Sequence, residues 1–122
     1  MDILIIKSPH AENILNGKKL LEIRGSRTTK TGERIGIAIS GTGRVYGEVT
    51  IPDIIRFDEE KWEKFKWAHL AQCSFNEICH RYKQPWGWIM QDPIWYPKPK
   101  KYYHPAGAVI WVSSAMILEE DD

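Results

Sequence analysis

"RIGIAISGTGRVYGEVTI", residues 34–51, carries the strongest secondary-structure signal in the chain. Isoleucine recurs at every second position of its first half, and Val45, Val49 and Ile51 share one face of its second half. Alternation with a period of two is typical of β-strands with one buried face. The glycine-rich residues 40–43 between the two halves predict a turn, so the whole stretch predicts an antiparallel hairpin.

The residues before this hairpin predict a strand, a short helix and a second strand. The apolar residues 2–7 predict a buried strand. Ser8 is expected to cap the following helix, with Pro9 at its first position and Gly17 at its end in left-handed geometry. The alternating sequence LLEIR, residues 20–24, predicts the next strand.

The residues after the hairpin predict two helices and two strands. Residues 58–71 combine acidic residues in the first turn with apolar residues at helical spacing, and the capping-box sequence that begins at Ser74 predicts a second helix. Residues 84–93 predict a strand between prolines. The Pro- and Lys-rich residues 95–107 predict an irregular connection, and residues 108–118 predict the last strand.

Together these elements predict an α+β domain, a small bent antiparallel β-barrel of PUA-like type with flanking α-helices. Gly36 and Gly47 lie inside predicted strands, where glycine indicates a sharp bend or the close approach of another backbone, as at barrel corners. A chain of 122 residues can bury one ordinary core, which predicts a single domain over residues 1–118. The sequence EEDD, residues 119–122, predicts an acidic C-terminal tail.

Composition and charge limit the classes of function. Hydrophobic residues make up 43% of the chain and charged residues 27%, which is normal for a soluble globular protein. The absence of a membrane-length apolar stretch or a signal peptide predicts a cytoplasmic protein without a membrane partner, with Cys73 and Cys79 as reduced thiols. Four of the sixteen acidic residues lie in the tail, so the domain itself is mildly basic. That charge is compatible with an anionic ligand such as nucleic acid but does not require one.

The sequence GKKLLEIR, residues 17–24, is the first candidate site. Strand alternation places Glu22 and Arg24 on one face. One interpretation is a solvated strand edge whose charges discourage unwanted pairing. The other is a pocket in which Lys19 and Arg24 bind an anionic or polar ligand while Glu22 accepts hydrogen bonds or protons. If the protein is an enzyme, Lys19 and Glu22 are the predicted catalytic groups, since a lysine among apolar residues can act as a base or nucleophile.

Two other residue sets are candidate sites. The set His69, Cys73, Cys79 and His80 does not match the spacing of structural zinc ligands, so neither a metal nor another cofactor is predicted. The six tryptophans are many for this length, and most are expected in the core. Trp88 is the one selected as a candidate for stacking on a base.

The motif residues carry a resemblance to a known family. GKKLLEIR fits the pattern G-x-K-x-x-E-x-R, with Gly17, Lys19, Glu22 and Arg24 at the fixed positions. This pattern resembles the ASCH (activating signal cointegrator homology) family of PUA-like domains, in its small stand-alone prokaryotic type. Later stretches also resemble strands of that family in the expected order: TGERIGIAISGTGRVYGEVTI, YKQPWGWIMQDP and HPAGAVIWV.

The resemblance implies a pocket where the motif strand meets the first helix, and it implies binding of RNA or modified nucleobases. One bacterial branch is similar to amidohydrolases that remove the acetyl group from N4-acetylcytidine. Those enzymes have a lysine that corresponds to Lys19 and a threonine where this chain has Glu22. They also use a later glutamate, for which Glu77 is the candidate in this chain.

The resulting hypothesis is recognition of single-stranded RNA, a nucleotide or a modified nucleoside. The predicted ligand-binding residues are Ser8, Lys19, Glu22, Arg24, Arg27 and Trp88. In this hypothesis the N–H groups at the helix start near Ser8 meet an anion, and Arg27 with Lys98–Lys101 follows an RNA backbone. The alternatives are a hydrolase acting on RNA or an acylated nucleoside, and a protein-interaction module. The sequence leaves the oligomeric state open.

Overall fold

A computed structural model describes residues 1–118, which form an α+β fold. The strands are β1 Asp2–Ile6, β2 Leu21–Arg24, β3 Arg34–Ile39, β4 Arg44–Thr50, β5 Ile54–Arg56, β6 Trp86–Ile89, β7 Gln91–Lys101 and β8 Trp111–Ser113. The helices are α1 His10–Leu15, α2 Glu59–Lys64, α3 Lys66–His69 and α4 Phe75–Arg81, with a 3-10 turn at Ser114–Met116. The predicted acidic tail, residues 119–122, lies outside the described residues.

The strands form two sheets with different connectivity. The larger sheet has the order β7-β4-β3-β1-β8, and the smaller sheet has the order β2-β6-β5. β1 runs parallel to β3, because α1 and β2 lie between them and carry the chain back across the fold. The prediction of a purely antiparallel sheet is therefore wrong at this pair. The α+β class is confirmed, whereas closure into a barrel stays a prediction.

The predicted hairpin is confirmed as β3 and β4. Its turn contains two glycines in left-handed conformation, Gly41 with a φ of 84° and Gly43 with a φ of 65°. The prediction of a close backbone approach at Gly47 is also confirmed, since a Cβ at this position would lie 2.2 Å from the carbonyl oxygen of Ile94. Glycine at this position therefore lets β7 pack directly against β4.

The C-terminal third differs from its prediction. Residues 91–101 form a long edge strand, β7, where an irregular connection was expected over residues 95–107. β7 pairs only with β4, and none of its prolines is in register with a β4 residue, so the ladder loses no N–H donor there. The predicted last strand over residues 108–118 shortens to β8, because the 3-10 turn begins at Ser114.

The helices partly follow their sequence signals. The helix predicted over residues 58–71 divides into α2 and α3 at Phe65, whose φ of −102° and ψ of 20° leave helical geometry. The predicted capping box at Ser74 is confirmed, with Glu77 as its second member. At α1 the N-cap is Pro9, and the hydroxyl of Ser8 donates to the Glu12 carboxylate, so the predicted Ser8 cap is wrong.

Buried apolar side chains fill the space on both faces of the larger sheet. β1 contributes to both faces because its side chains alternate: Leu4 and Ile6 join one cluster, and Ile3 and Ile5 join another. A third cluster lies between the smaller sheet and the helices and includes Trp62. None of the helices within residues 1–118 combines the length and the apolar character needed to cross a lipid bilayer.

Candidate functional site

The motif strand β2 forms part of a pocket of about 390 Å³, hereafter the motif pocket. Further parts of its wall come from β1, the start of α1, and the segment from α3 to the end of α4. This volume is within the range of small-molecule sites. The described lining contains one carboxylate and four cationic side chains: Glu22, Lys7, Lys19, Arg24 and Arg81. The pocket is therefore suited to an anionic or carbonyl-rich ligand.

Lys19 lies at the floor of the motif pocket with only 2% of its surface exposed. Its Nζ donates a hydrogen bond to the carbonyl oxygen of His69 and lies 3.9 Å from Oε1 of Glu22. Burial lowers the pKa of Lys19, the Glu22 carboxylate opposes this shift, and the Arg24 guanidinium adds to it. The turn at Gly17 directs Lys19 inward, where the Lys19 backbone N–H donates to the carbonyl of Asn13 over 2.9 Å.

Glu22 and Arg24 lie on the same face of β2, as predicted from the strand alternation. Oε2 of Glu22 accepts a hydrogen bond of 3.0 Å from Nη2 of Arg24, which also donates to the carbonyl oxygen of Ile5 over 3.1 Å. The Glu22 carboxylate therefore lies between two cations, Lys19 and Arg24. Such pairing is what allows charged groups to be buried.

Arg24 retains donors that the described protein does not use. Within residues 1–118, its Nη1 makes no hydrogen bond and its buried Nε has no partner. Buried donors without partners are uncommon in folded proteins. The guanidinium carbon of Arg24 lies 5.7 Å from the centroid of the Trp88 ring, within the range of a cation–π interaction.

Trp88 supports the pocket from the core and is not part of its lining. Its side chain is buried, with 2% of the residue exposed, and its ring stacks on Trp111 at a centroid distance of 5.9 Å. Its Nε1 donates to the carbonyl oxygen of Ser26 over 2.9 Å. The predicted stacking of Trp88 on a base does not fit this position, because both faces of a core indole are already covered by protein.

Tyr82 is the aromatic residue that the motif pocket does expose, and the sequence prediction missed it. Its ring packs on the backbone of Gly25, where a Cβ would lie 2.6 Å from Cδ1 of Tyr82. The Arg81 guanidinium carbon lies 5.3 Å from the centroid of the same ring. Gly25, directly after the motif, is the sequence feature that corresponds to this contact, because a side chain at this position would clash with the Tyr82 ring.

His10 is a second pocket residue that the sequence prediction missed. It is the first residue of α1 and lies at the rim of the motif pocket. Partial burial lowers the pKa of its imidazole, and the nearby Lys19 charge lowers it further, while Glu22 opposes the shift. The ring is therefore largely neutral near pH 7 and can gain a proton when an anion binds.

Three other predicted contacts lie outside the lining of the motif pocket. Ser8 is engaged with Glu12, and the exposed Arg27 guanidinium lies over the ring of Trp86 at 5.5 Å. Glu77 is exposed and caps α4, where its hydrogen bonds with Ser74 lower its pKa. Among the described lining residues, Glu22 is thus the only carboxylate.

The residues considered as metal ligands do not come together. Among residues 1–118, no group of three or more His, Cys, Asp or Glu side chains is placed to hold a metal ion. His69 is fully buried and stacks on the Trp62 ring at a centroid distance of 3.9 Å. Its Nε2 donates to the Trp62 carbonyl, and its Nδ1 accepts from the N–H of Ala71. His69 is therefore a core residue whose carbonyl oxygen anchors Lys19.

Comparison with solved structures identifies neighbours with the same fold. A serine-to-alanine mutant of ZmASCH from Zymomonas mobilis matches with a TM-score of 0.72 and 17% identity, over 93% of this chain and 88% of that chain. ASCH from Zymomonas mobilis matches with a TM-score of 0.61 and 18% identity, over 81% of this chain and 69% of that chain. At these identities the similarity establishes the fold alone. No curated protein sequence matches the chain significantly.

Comparison with protein-family models gives the family directly. The ASCH domain model matches residues 4–109, a range that contains both sheets apart from β8 and the first two residues of β1. It also contains the complete G-x-K-x-x-E-x-R sequence. This agrees with the structural neighbours and with the motif at residues 17–24. The chain belongs to the ASCH domain family.

Proposed function

We propose that this protein binds single-stranded RNA by taking one nucleotide into the motif pocket. The observation that carries the proposal is the arrangement of Arg24. Its Nη2 is held by Glu22 and Ile5, while its Nη1 makes no bond within residues 1–118. A fixed guanidinium with a spare donor is suited to a phosphate or base carbonyl oxygen.

The neighbouring groups complement the edge of a nucleobase. Lys19 uses one of its three donors on the His69 carbonyl, so it can donate to a base carbonyl oxygen. Glu22 can accept a hydrogen bond from an exocyclic amine, which is the contact that carboxylates make with cytosine. The Tyr82 ring in the pocket wall provides a surface for stacking, which contributes about 1–3 kcal/mol per base.

The charge at the rim favours a nucleotide over an uncharged nucleoside. Lys7 and Arg81 are exposed residues of the lining and can contact the phosphate while the base lies deeper, near Lys19 and Glu22. Such contacts make affinity depend on salt concentration. A base can enter the pocket only when it is unstacked and unpaired, which favours single-stranded RNA over a duplex.

Hydrolysis of an acylated nucleoside is the second candidate function. It is favoured by the lowered pKa of Lys19 and by the distance of 3.9 Å between its Nζ and the Glu22 carboxylate. As a neutral amine, Lys19 could take a proton from a water molecule that attacks the acyl carbon. The C–N bond to the exocyclic nitrogen then breaks, the Lys19 ammonium returns the proton to that nitrogen, and a carboxylic acid and the free amine are released.

Substitution Arg24→Ala is expected to weaken binding of a labelled random-sequence ribohexamer about tenfold or more, because it removes the spare donor and the charge. Fluorescence anisotropy at low salt measures this effect. Arg56→Ala is the matched control, since Arg56 is exposed on β5 outside the lining. Arg81→Ala, at an exposed position, provides a second pocket variant that does not disturb Glu22. Unchanged affinity in both pocket variants, with folding verified by circular dichroism, would contradict the proposal.

Binding of the same ribohexamer is expected to strengthen as the pH falls from about 7.5 to about 5.5, in the range where histidine titrates. A bound phosphodiester favours the charged imidazole, so binding raises the pKa of His10 above the lowered value of the free protein. Proton uptake on binding means that affinity rises with falling pH. His10→Gln should flatten this dependence and His80→Gln should retain it. An equal pH dependence in His10→Gln and in the unsubstituted protein would exclude this role of His10.

If the protein is a hydrolase of this kind, it is expected to release cytidine and acetate from N4-acetylcytidine. Mass spectrometry measures the cytidine that is formed. Lys19→Met keeps the length of the buried side chain but removes the amine, so turnover should be lost. Lys18→Met, at the exposed neighbouring position, should retain full turnover. Failure of the unsubstituted protein to release cytidine would eliminate this candidate and would leave the RNA-binding proposal to the anisotropy measurements.

A further inference from the structure

A second cavity of about 440 Å³ adjoins the motif pocket. The two share four lining residues: Ile5, Lys7, Ser40 and Val109. Because the shared residues belong to both walls, the two cavities lie side by side at the end of β1. A ligand larger than one nucleotide can therefore extend from the motif pocket without leaving the protein surface.

The lining of the second cavity combines a lysine with backbone N–H groups that have no partner in the described protein. Its remaining lining comes from the β3–β4 turn and from the segment after β7, and includes Gly41, Gly43 and His104. No carboxylate belongs to this described lining, whereas the exposed Lys7 lies at the junction with the motif pocket. Within residues 1–118, the backbone N–H groups of Gly41 and Gly43 form no hydrogen bond. A cation beside unused backbone donors is a favourable environment for a phosphate group.

The lining residue His104 is held by hydrogen bonds within the protein. Nε2 of His104 lies 2.7 Å from the carbonyl oxygen of Ala108, which can only accept, so Nε2 carries the hydrogen. Nδ1 of the same ring lies 3.0 Å from the hydroxyl oxygen of Tyr102 and is hydrogen-bonded to it. His104 is itself exposed, so its ring borders the cavity in a defined orientation without being part of the core.

We infer that the second cavity holds the ribose-phosphate of the nucleotide adjoining the one in the motif pocket, so that the two cavities together bind a dinucleotide more tightly than a mononucleotide. This inference rests on the proposed function, since it assumes a nucleotide in the motif pocket. Lys7 and Ser40, which line both cavities, are placed to contact the linking phosphate. The free N–H groups of Gly41 and Gly43 extend the same contact surface away from the motif pocket.

Isothermal titration with the four ribonucleoside 5′-monophosphates and the matching 5′-phosphorylated homodinucleotides tests this inference. The unsubstituted protein should bind at least one dinucleotide about tenfold more tightly than its monophosphate. His104→Glu places a negative charge in the second cavity and should remove this gain while monophosphate affinity stays within about twofold. His80→Glu, the same change at an exposed position outside both linings, should have no effect.

Gly41→Asp is the second variant in case His104→Glu does not fold, because aspartate tolerates the left-handed backbone at this position better than most residues. It should also remove the dinucleotide gain. Equal affinity for monophosphates and dinucleotides, or a gain that survives both variants, would overturn the inference and leave the proposed function intact. Binding of neither ligand class would overturn the proposed function, and the inference with it.

Discussion

The buried ammonium of Lys19 is the constraint on which the rest of the site depends. A lysine with 2% exposure is stable only if its charge is compensated, and here the compensation comes from separate parts of the chain. The His69 carbonyl at the end of α3 accepts its hydrogen bond, and Glu22 on β2 supplies the opposite charge. α3 is in turn tied to the start of β2 by a 2.9 Å hydrogen bond from the Leu20 N–H to the Ala68 carbonyl. The pocket floor therefore forms only when helix and strand are assembled.

The same compensation leaves positive charge available in the motif pocket for the proposed ligand. One carboxylate, Glu22, serves two cations, so neither Lys19 nor Arg24 is fully neutralised by the described protein. A buried ion pair contributes little net stability compared with apolar residues of similar size. The arrangement is better understood as a fixed set of donors around one acceptor, held in place before a ligand arrives, which lowers the entropic cost of binding. In the proposed function, the exposed cations at the rim add affinity and salt dependence.

The sequence predicts which site residues share a strand face, whereas it does not predict which side chains are buried. Strand alternation placed Glu22 and Arg24 together because side-chain direction in a strand depends only on position. Whether an aromatic side chain is buried or lines a pocket depends on tertiary packing, so the sequence alone does not distinguish the buried Trp88 from the pocket residue Tyr82. β7 is hard to predict for a related reason: its prolines are typical of a loop, and a strand tolerates them only because it lies at a sheet edge. The parallel β1–β3 pair likewise depends on a connection that no local pattern specifies.

Direct titration of the Lys19 side chain by nuclear magnetic resonance tests most directly whether this ammonium is buried as described. The side-chain Cε signal of Lys19, assigned by its loss in Lys19→Met, is followed against pH together with that of the exposed Lys18. Burial lowers the pKa of Lys19, so its signal should titrate clearly below the ordinary range of a lysine side chain. Titration of Lys19 within that ordinary range would contradict the burial of its ammonium at the pocket floor.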